Sequence, residues 1–173
     1  PMLFPWVGLF EQIRLADVYV HYTDVQFSKG SFVNRVQVKT ASGSQWLTVP
    51  MQARSLGQRI DEVLIDDRKD WRRSHLDLLA QAFAGAPFKR DALDLVRRAY
   101  TVTSEHLVDV VIASMMAALD YLGLDQGRRL LQSPDLGIGG SGSQRVLAVV
   151  RSLGGKAYVT GHGARNYLEH EVF

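Results

Sequence analysis

The stretch Val108 to Leu119 constrains the fold more than any other segment. It reads Val-Asp-Val-Val-Ile-Ala-Ser-Met-Met-Ala-Ala-Leu. Ser104 is placed to cap a helix there, and Gly123 supplies a stop signal after Leu122. Such a helix is apolar almost all round, so it has to be buried. It is too short to span a bilayer and carries Asp109 and Ser114, so the rest of the chain must cover it.

The remaining pattern mixes helices with strands. Gly8 to Ala16 predicts a short helix with Leu9, Ile13 and Ala16 on one side. Asp17 to Tyr22 alternates and reads as a strand. Val33 to Lys39 alternates too, and Ala41-Ser-Gly-Ser44 turns it into a strand over Gln45 to Val49, a β-hairpin. Ile60 to Ile65 predicts a further strand. Asp70 caps a helix from Trp71 to about Ala84, closed by Gly85-Ala-Pro87, and Asp91 to Tyr100 forms another. Arg128 to Gln132 reads as a short strand, Gln144 to Leu153 as a helix stopped by Gly154-Gly155, Lys156 to Thr160 as a strand and Ala164 to Glu169 as a short helix. The expected class is α/β: a layered sheet of mixed strands with flanking helices and one hairpin, a Rossmann-like arrangement being one form of it.

At 173 residues and 46% hydrophobic, one domain with a real core is expected. The net charge of +2 and the scattered arginine pairs read as solvated faces, not a nucleic-acid stripe. The absence of cysteine excludes disulfides, thiolate zinc sites and a cysteine nucleophile. No signal peptide is visible, and a soluble cytoplasmic protein without membrane insertion is expected.

Chemistry concentrates first between Asp24 and Arg35. Asp24, Gln26, Lys29, Asn34 and Arg35 surround the loop joining two strands. Together they suit an anionic or sugar-bearing ligand: Arg as a bidentate fork, Lys as a point charge, the carboxylate as a base. A polar hairpin loop with solvated charges is the plainer alternative. The second cluster is Gly161-His162-Gly163 with Tyr167 behind it. Gly161 and Gly163 suit backbone approach to an anion, and His162 a general base, against a tight turn that merely needs glycine. His75, one helical turn after Trp71, joins the substrate-binding candidates, against a half-buried histidine on a helix face. His21, His106 and His170 have no partner at metal-ligand spacing, so no metal site is expected.

Gly137-Ile-Gly139-Gly-Ser-Gly142 matches G-x-G-x-x-G and precedes a helix. Ser133-Pro-Asp-Leu136 separates it from the strand before, and the strand after the helix ends in Thr160, not in an acidic ribose-binding residue. A flexible connection is the default reading. No nucleophile elbow of a serine hydrolase is present.

Several segments occur in the order found in one family. They are Phe4-Pro-Trp-Val-Gly-Leu-Phe10, Ala16-Asp17, Tyr22-Thr-Asp-Val-Gln-Phe27, Asn34-Arg35, Leu47-Thr-Val-Pro50, Trp71-x-x-x-His75, Tyr121-Leu-Gly123, Arg145, Leu153-Gly154, Tyr158-Val-Thr-Gly161 and Gly161-x-Gly-x-x-x-Tyr167. Across nearly the whole chain the sequence resembles the WbqC-like family. That resemblance implies a role in bacterial surface polysaccharide (O-antigen) or related biosynthesis. It also implies that the family's N-terminal strand and C-terminal segment are missing from a single domain over 1–173.

The resulting expectation is a transferase acting on a nucleotide-linked or otherwise activated sugar or glycan, adding an acyl or aminoacyl group. Asp24 or His162 would be the base, with Gln26, Lys29, Asn34, Arg35, His75, Gly161, Gly163 and Tyr167 binding substrate. A non-catalytic binding or scaffold protein of the same pathway is the alternative. The sequence names no cofactor.

Overall fold

A computed structural model describes residues 1–173. In chain order its elements are α1 (Val7–Leu15), β1 (Val18–His21), β2 (Arg35–Thr40), β3 (Gly43–Thr48), α2 (Trp71–Ala82), α3 (Lys89–Ala99), α4 (Leu107–Tyr121), β4 (Arg129–Gln132) and α5 (Gly142–Ser152). Short 3-10 turns lie at Ile60–Glu62, Ser133–Leu136, His162–Asn166 and His170–Val172. The chain packs as two compact units, each drawn from separated stretches of sequence. The first comprises Pro1–Pro5 and Thr23–Gln126, the second Trp6–Tyr22 and Gly127–Phe173.

In the first unit α4 is the buried helix that its composition demands. Leu107, Val108, Val110, Val111, Met115 and Leu119 all face the interior. Its one central polar group is satisfied, because Ser114 Oγ donates to the Val111 carbonyl at 2.7 Å and accepts from the Phe4 N–H at 3.1 Å. Gly123 ends the helix at φ +64°, and the Leu124 N–H returns to the Leu119 carbonyl at 2.8 Å. A glycine there adopts left-handed backbone without a Cβ clash. Strands β2 and β3 form the antiparallel hairpin, in register from Arg35 opposite Thr48 to Thr40 opposite Gly43. Strand alternation turns Val38 and Leu47 inward, where they join Leu79 of α2 and Val96 of α3 in the core. Helix α2 starts where expected, with the Asp70 carboxylate accepting from the Arg73 N–H at 3.0 Å.

The expected strand at Ile60 to Ile65 is instead a 3-10 turn followed by isolated bridges, Leu64 to His106 and Ile65 to Met51. The Glu62 carboxylate accepts from the Arg59 N–H at 3.0 Å, which closes the turn. The i, i+3 step then buries both Ile60 and Val63, so apolar spacing that reads as a strand is met by a turn.

In the second unit β1 and β4 pair in parallel, from Val18 opposite Arg129 to His21 opposite Gln132. Arg128 donates to the carbonyls of Ile13 at 3.1 Å and Arg14 at 2.9 Å. It thereby satisfies acceptors that the end of α1 leaves open. Helix α5 ends at Gly154, φ +70°, with the Gly155 N–H on the Val150 carbonyl at 2.9 Å. Lys156 to Thr160 is not a strand: it is exposed throughout and has no ladder partner. The expected helix at Ala164 to Glu169 is replaced by the two 3-10 turns His162–Asn166 and His170–Val172.

The protein is therefore mixed α/β, with one small parallel and one small antiparallel sheet. These two ladders do not establish a Rossmann-like sheet. No helix is long and apolar enough to cross a membrane.

Candidate functional site

Asp24, Gln26, Lys29, Asn34, Arg35 and His75 lie in the first unit; Gly161, His162, Gly163 and Tyr167 lie in the second. Within the first unit the candidates fall into three settings.

Gln26 forms an antiparallel bridge with Arg59, carried by Phe27 N–H to the Gln58 carbonyl and Ile60 N–H to the Val25 carbonyl, both 2.9 Å. The bridge brings half-buried Asp24 and exposed Gln26 beside a guanidinium. Arg59 Nε donates to Asp61 at 2.9 Å. That bond comes first among the interactions that raise the Arg59 pKa, and the Asp24 charge adds to it. Nothing in the local sequence announces Arg59 as a neighbour of Asp24, because the bridge is tertiary.

Arg35 opens β2 and folds back over the loop, donating from Nη2 to the Gly30 carbonyl at 2.6 Å. A Cβ on Gly30, at φ +81°, would meet Arg35 Nη2 at 3.3 Å, so glycine there serves both conformation and close approach. The guanidinium carbon sits 4.2 Å from the centre of the Trp46 ring, a cation–π contact. Trp46 in turn lies 5.8 Å from Phe32, and both rings are exposed. Exposed Lys29 precedes Gly30. Arg35 Nε is buried with no hydrogen-bond partner. One corner of the hairpin thus presents two aromatic rings, a stacked guanidinium and an ammonium. Sequence reading missed Phe32 and Trp46, although the alternation around buried Leu47 would have turned Trp46 outward.

Asn34 and His75 are built into the core. Buried Asn34 donates from Nδ2 to the Val49 carbonyl at 3.1 Å, and the Val49 N–H donates to the Asn34 carbonyl at 2.8 Å. His75 has both ring nitrogens engaged, Nε2 with the Thr48 carbonyl at 3.2 Å and Nδ1 with the Tyr100 hydroxyl at 2.7 Å. A carbonyl can only accept, so Nε2 carries the proton and Nδ1 accepts from Tyr100. Burial lowers the His75 pKa to about 4, which keeps the ring neutral. Trp71 and Tyr100 pack edge-on to each other at 5.0 Å, and Trp71 Nε1 donates to Asp67 at 2.7 Å.

In the second unit Gly161 precedes the turn that His162 opens. His162, Gly163 and Tyr167 are exposed; partial desolvation, with the Tyr158 charge adding to it, raises the Tyr167 pKa. A side chain at Gly161 would press on Gln12 Nε2 at 3.1 Å. The nearby hollow of about 420 Å³ is lined by Arg151, Lys156, Tyr158, Thr160 and His170 among others; His162 and Tyr167 do not line it. The glycine-rich segment follows the 3-10 turn Ser133–Leu136 and not β4 directly. Arg145 holds it from within, with Nε donating to the Ile138 carbonyl at 2.8 Å and the guanidinium 4.8 Å from the Tyr22 ring centre.

The model of the WbqC-like protein family matches residues 1–173, the whole chain. The chain belongs to the WbqC-like protein family. A relative in Mycobacterium tuberculosis, the uncharacterised protein Rv1507c, is 30% identical over 171 residues, 98% of this chain and 73% of that protein. No solved structure matches. Membership of the WbqC-like family suggests a role related to polysaccharide biosynthesis.

Proposed function

We propose that this WbqC-like protein is a transferase acting on an activated, nucleotide-linked sugar or glycan of surface polysaccharide biosynthesis, to which it adds an acyl or aminoacyl group. The observation that carries the reading is the corner formed by Lys29, Phe32, Arg35 and Trp46. Flat aromatic faces stack a base or the apolar face of a sugar. An adjacent guanidinium and ammonium complement phosphate. In this reading Asp24, with Gln26 beside it, is the base that takes a proton from the attacking amine or hydroxyl. His162 is the other base candidate; it lies in the second unit, where the Gly161 and Gly163 amides and Tyr167 make an anion-holding group of that unit's own.

The exposed pair Phe32 and Trp46 also suits a non-catalytic protein of the same pathway that docks on a partner. Thermal-shift titration with nucleotide sugars separates the two, since a ligand that binds the folded state raises the melting temperature. Under the transferase reading a nucleotide sugar raises it, Arg35→Ala abolishes the rise, and Asp24→Asn keeps the rise but loses turnover. Full turnover by Asp24→Asn with an identified substrate removes Asp24 as the base. Absence of any shift across the nucleotide sugars favours the docking protein.

A further inference from the structure

The second unit contains a hollow of about 420 Å³ that the sugar-transfer reading does not use, a size within the range that holds small ligands. Leu147, Val150 and Arg151 line it from α5, and their i, i+3, i+4 spacing puts all three on one face of the helix. Lys156, Tyr158 and Thr160 line it from alternate positions of the exposed segment that follows, and of the residues between them only Ala157 joins the lining. Gly155 holds that segment against the helix. Its N–H donates to the Val150 carbonyl at 2.9 Å, and a Cβ there would meet Val150 Cγ1 at 2.9 Å, so glycine permits the close approach.

Three features bear on what it takes. The lining carries Arg151, Lys156 and His170 and no carboxylate. Neither the Arg151 nor the Lys156 side chain makes an ion pair or hydrogen bond, so solvent alone meets the two charges. His170 stands apart from them, because its Nε2 already faces the Arg165 carbonyl at 3.4 Å. The hydroxyls of Tyr158 and Thr160 belong to the same lining and can donate to an anion as well. The remaining side is apolar: Leu147, Val150, buried Leu168 and Phe173, the last stacked on Tyr158 with ring centres 5.4 Å apart.

We propose that this hollow binds a phosphate monoester with a small apolar body, its phosphate held by Arg151 and Lys156 and its body resting on Leu147, Leu168 and Phe173. A phosphate dianion balances two unpaired cations, with arginine as a fork and lysine as a point charge. A monocarboxylate would leave one cation unmatched, and inorganic phosphate would leave the apolar side uncovered. Every residue of the site lies in the second unit, whereas Lys29, Phe32, Arg35 and Trp46 lie in the first, so the proposal stands or falls apart from the transferase reading.

The test is calorimetric titration of the whole chain with phenyl phosphate, inorganic phosphate, benzoate and phenol, carried out on the Arg35→Ala protein so that the aromatic corner cannot supply the binding. It reads binding alone and is indifferent to transferase activity. Phenyl phosphate binds, about tenfold tighter than inorganic phosphate because the ring adds apolar burial. Benzoate binds more weakly than phenyl phosphate, and phenol does not bind. Arg151→Gln and Lys156→Gln each weaken phenyl phosphate about tenfold. Arg165→Gln, which removes an exposed cation of the same unit that does not line the hollow, leaves it unchanged. Failure of phenyl phosphate to bind overturns the proposal. So does binding that Arg165→Gln weakens as much as the two lining variants do, or that inorganic phosphate or benzoate matches in affinity.

Discussion

At the scale of residues, His75 shows how a polar side chain becomes part of a core. Tyr100 and the Thr48 carbonyl satisfy its ring, and burial keeps it neutral, with a pKa of about 4 against about 6.5 in an unfolded chain. The folded state therefore resists a proton that the unfolded state accepts. Its contribution is complete above about pH 6.5 and is lost as the pH falls toward about 4, because there the unfolded state binds more protons. His21, also lowered to about 4 by burial, acts in the same direction. Urea midpoints followed by tryptophan fluorescence should fall between pH 6.5 and pH 4, and His75→Gln should flatten part of that fall. A constant midpoint across the window would contradict the buried, neutral assignment. That a histidine follows Trp71 by four was legible in the sequence. That its ring meets Tyr100 and Thr48 was not, because those partners are 25 and 27 positions away.

At the scale of elements, helix ends were the most legible features, since capping chemistry is local. Asp70 and Gly154 occupy the positions their residue types predict, whereas Ser104 does not cap α4: the N-cap is His106, and the Ser104 hydroxyl accepts from the His106 N–H at 3.0 Å and donates to Asp109. Asp70→Ala should cost about 1 kcal/mol by removing an acceptor from the first turn of α2. Gly154→Ala, forced into left-handed backbone, should cost roughly 1–2 kcal/mol. Both are measurable as shifts in denaturant midpoint at unchanged slope. Strands were harder to foresee. Ile60 to Ile65 has strand-like apolar content, but the Glu62 carboxylate on the Arg59 amide favours a turn. Lys156 to Thr160 has strand propensity but no neighbouring backbone with which to form a ladder. A strand exists only when another segment comes to pair with it, and sequence spacing does not supply that segment.

For the whole molecule, stability resides in the interior and not in surface charge. Met115 is fully buried within α4, and Met115→Ala should cost about 2–5 kcal/mol through lost burial and the cavity left behind. By contrast, Arg98 and Asp120 pair across α3 and α4 with both side chains more than half exposed. A double-mutant cycle on them should give less than about 1 kcal/mol. Comparable values from the two experiments would mean that surface ion pairs carry more of the stability than their exposure allows.

By itself the sequence determined the mixed α/β class, the buried central helix, the hairpin, the Asp70 cap and glycine stops of the helices, and the likeness to the WbqC-like family. These depend on residues near one another in the chain: an apolar helix must be covered, an alternating pair around a turn must fold back, a glycine must end a helix. The tertiary structure alone decided which side chains share a site. It set Asp24 and Gln26 beside Arg59, stacked Arg35 on Trp46 and drew Asn34 and His75 into the core. Those outcomes follow from segments distant in sequence competing to bury apolar surface and satisfy their polar groups together, and no local pattern records that competition.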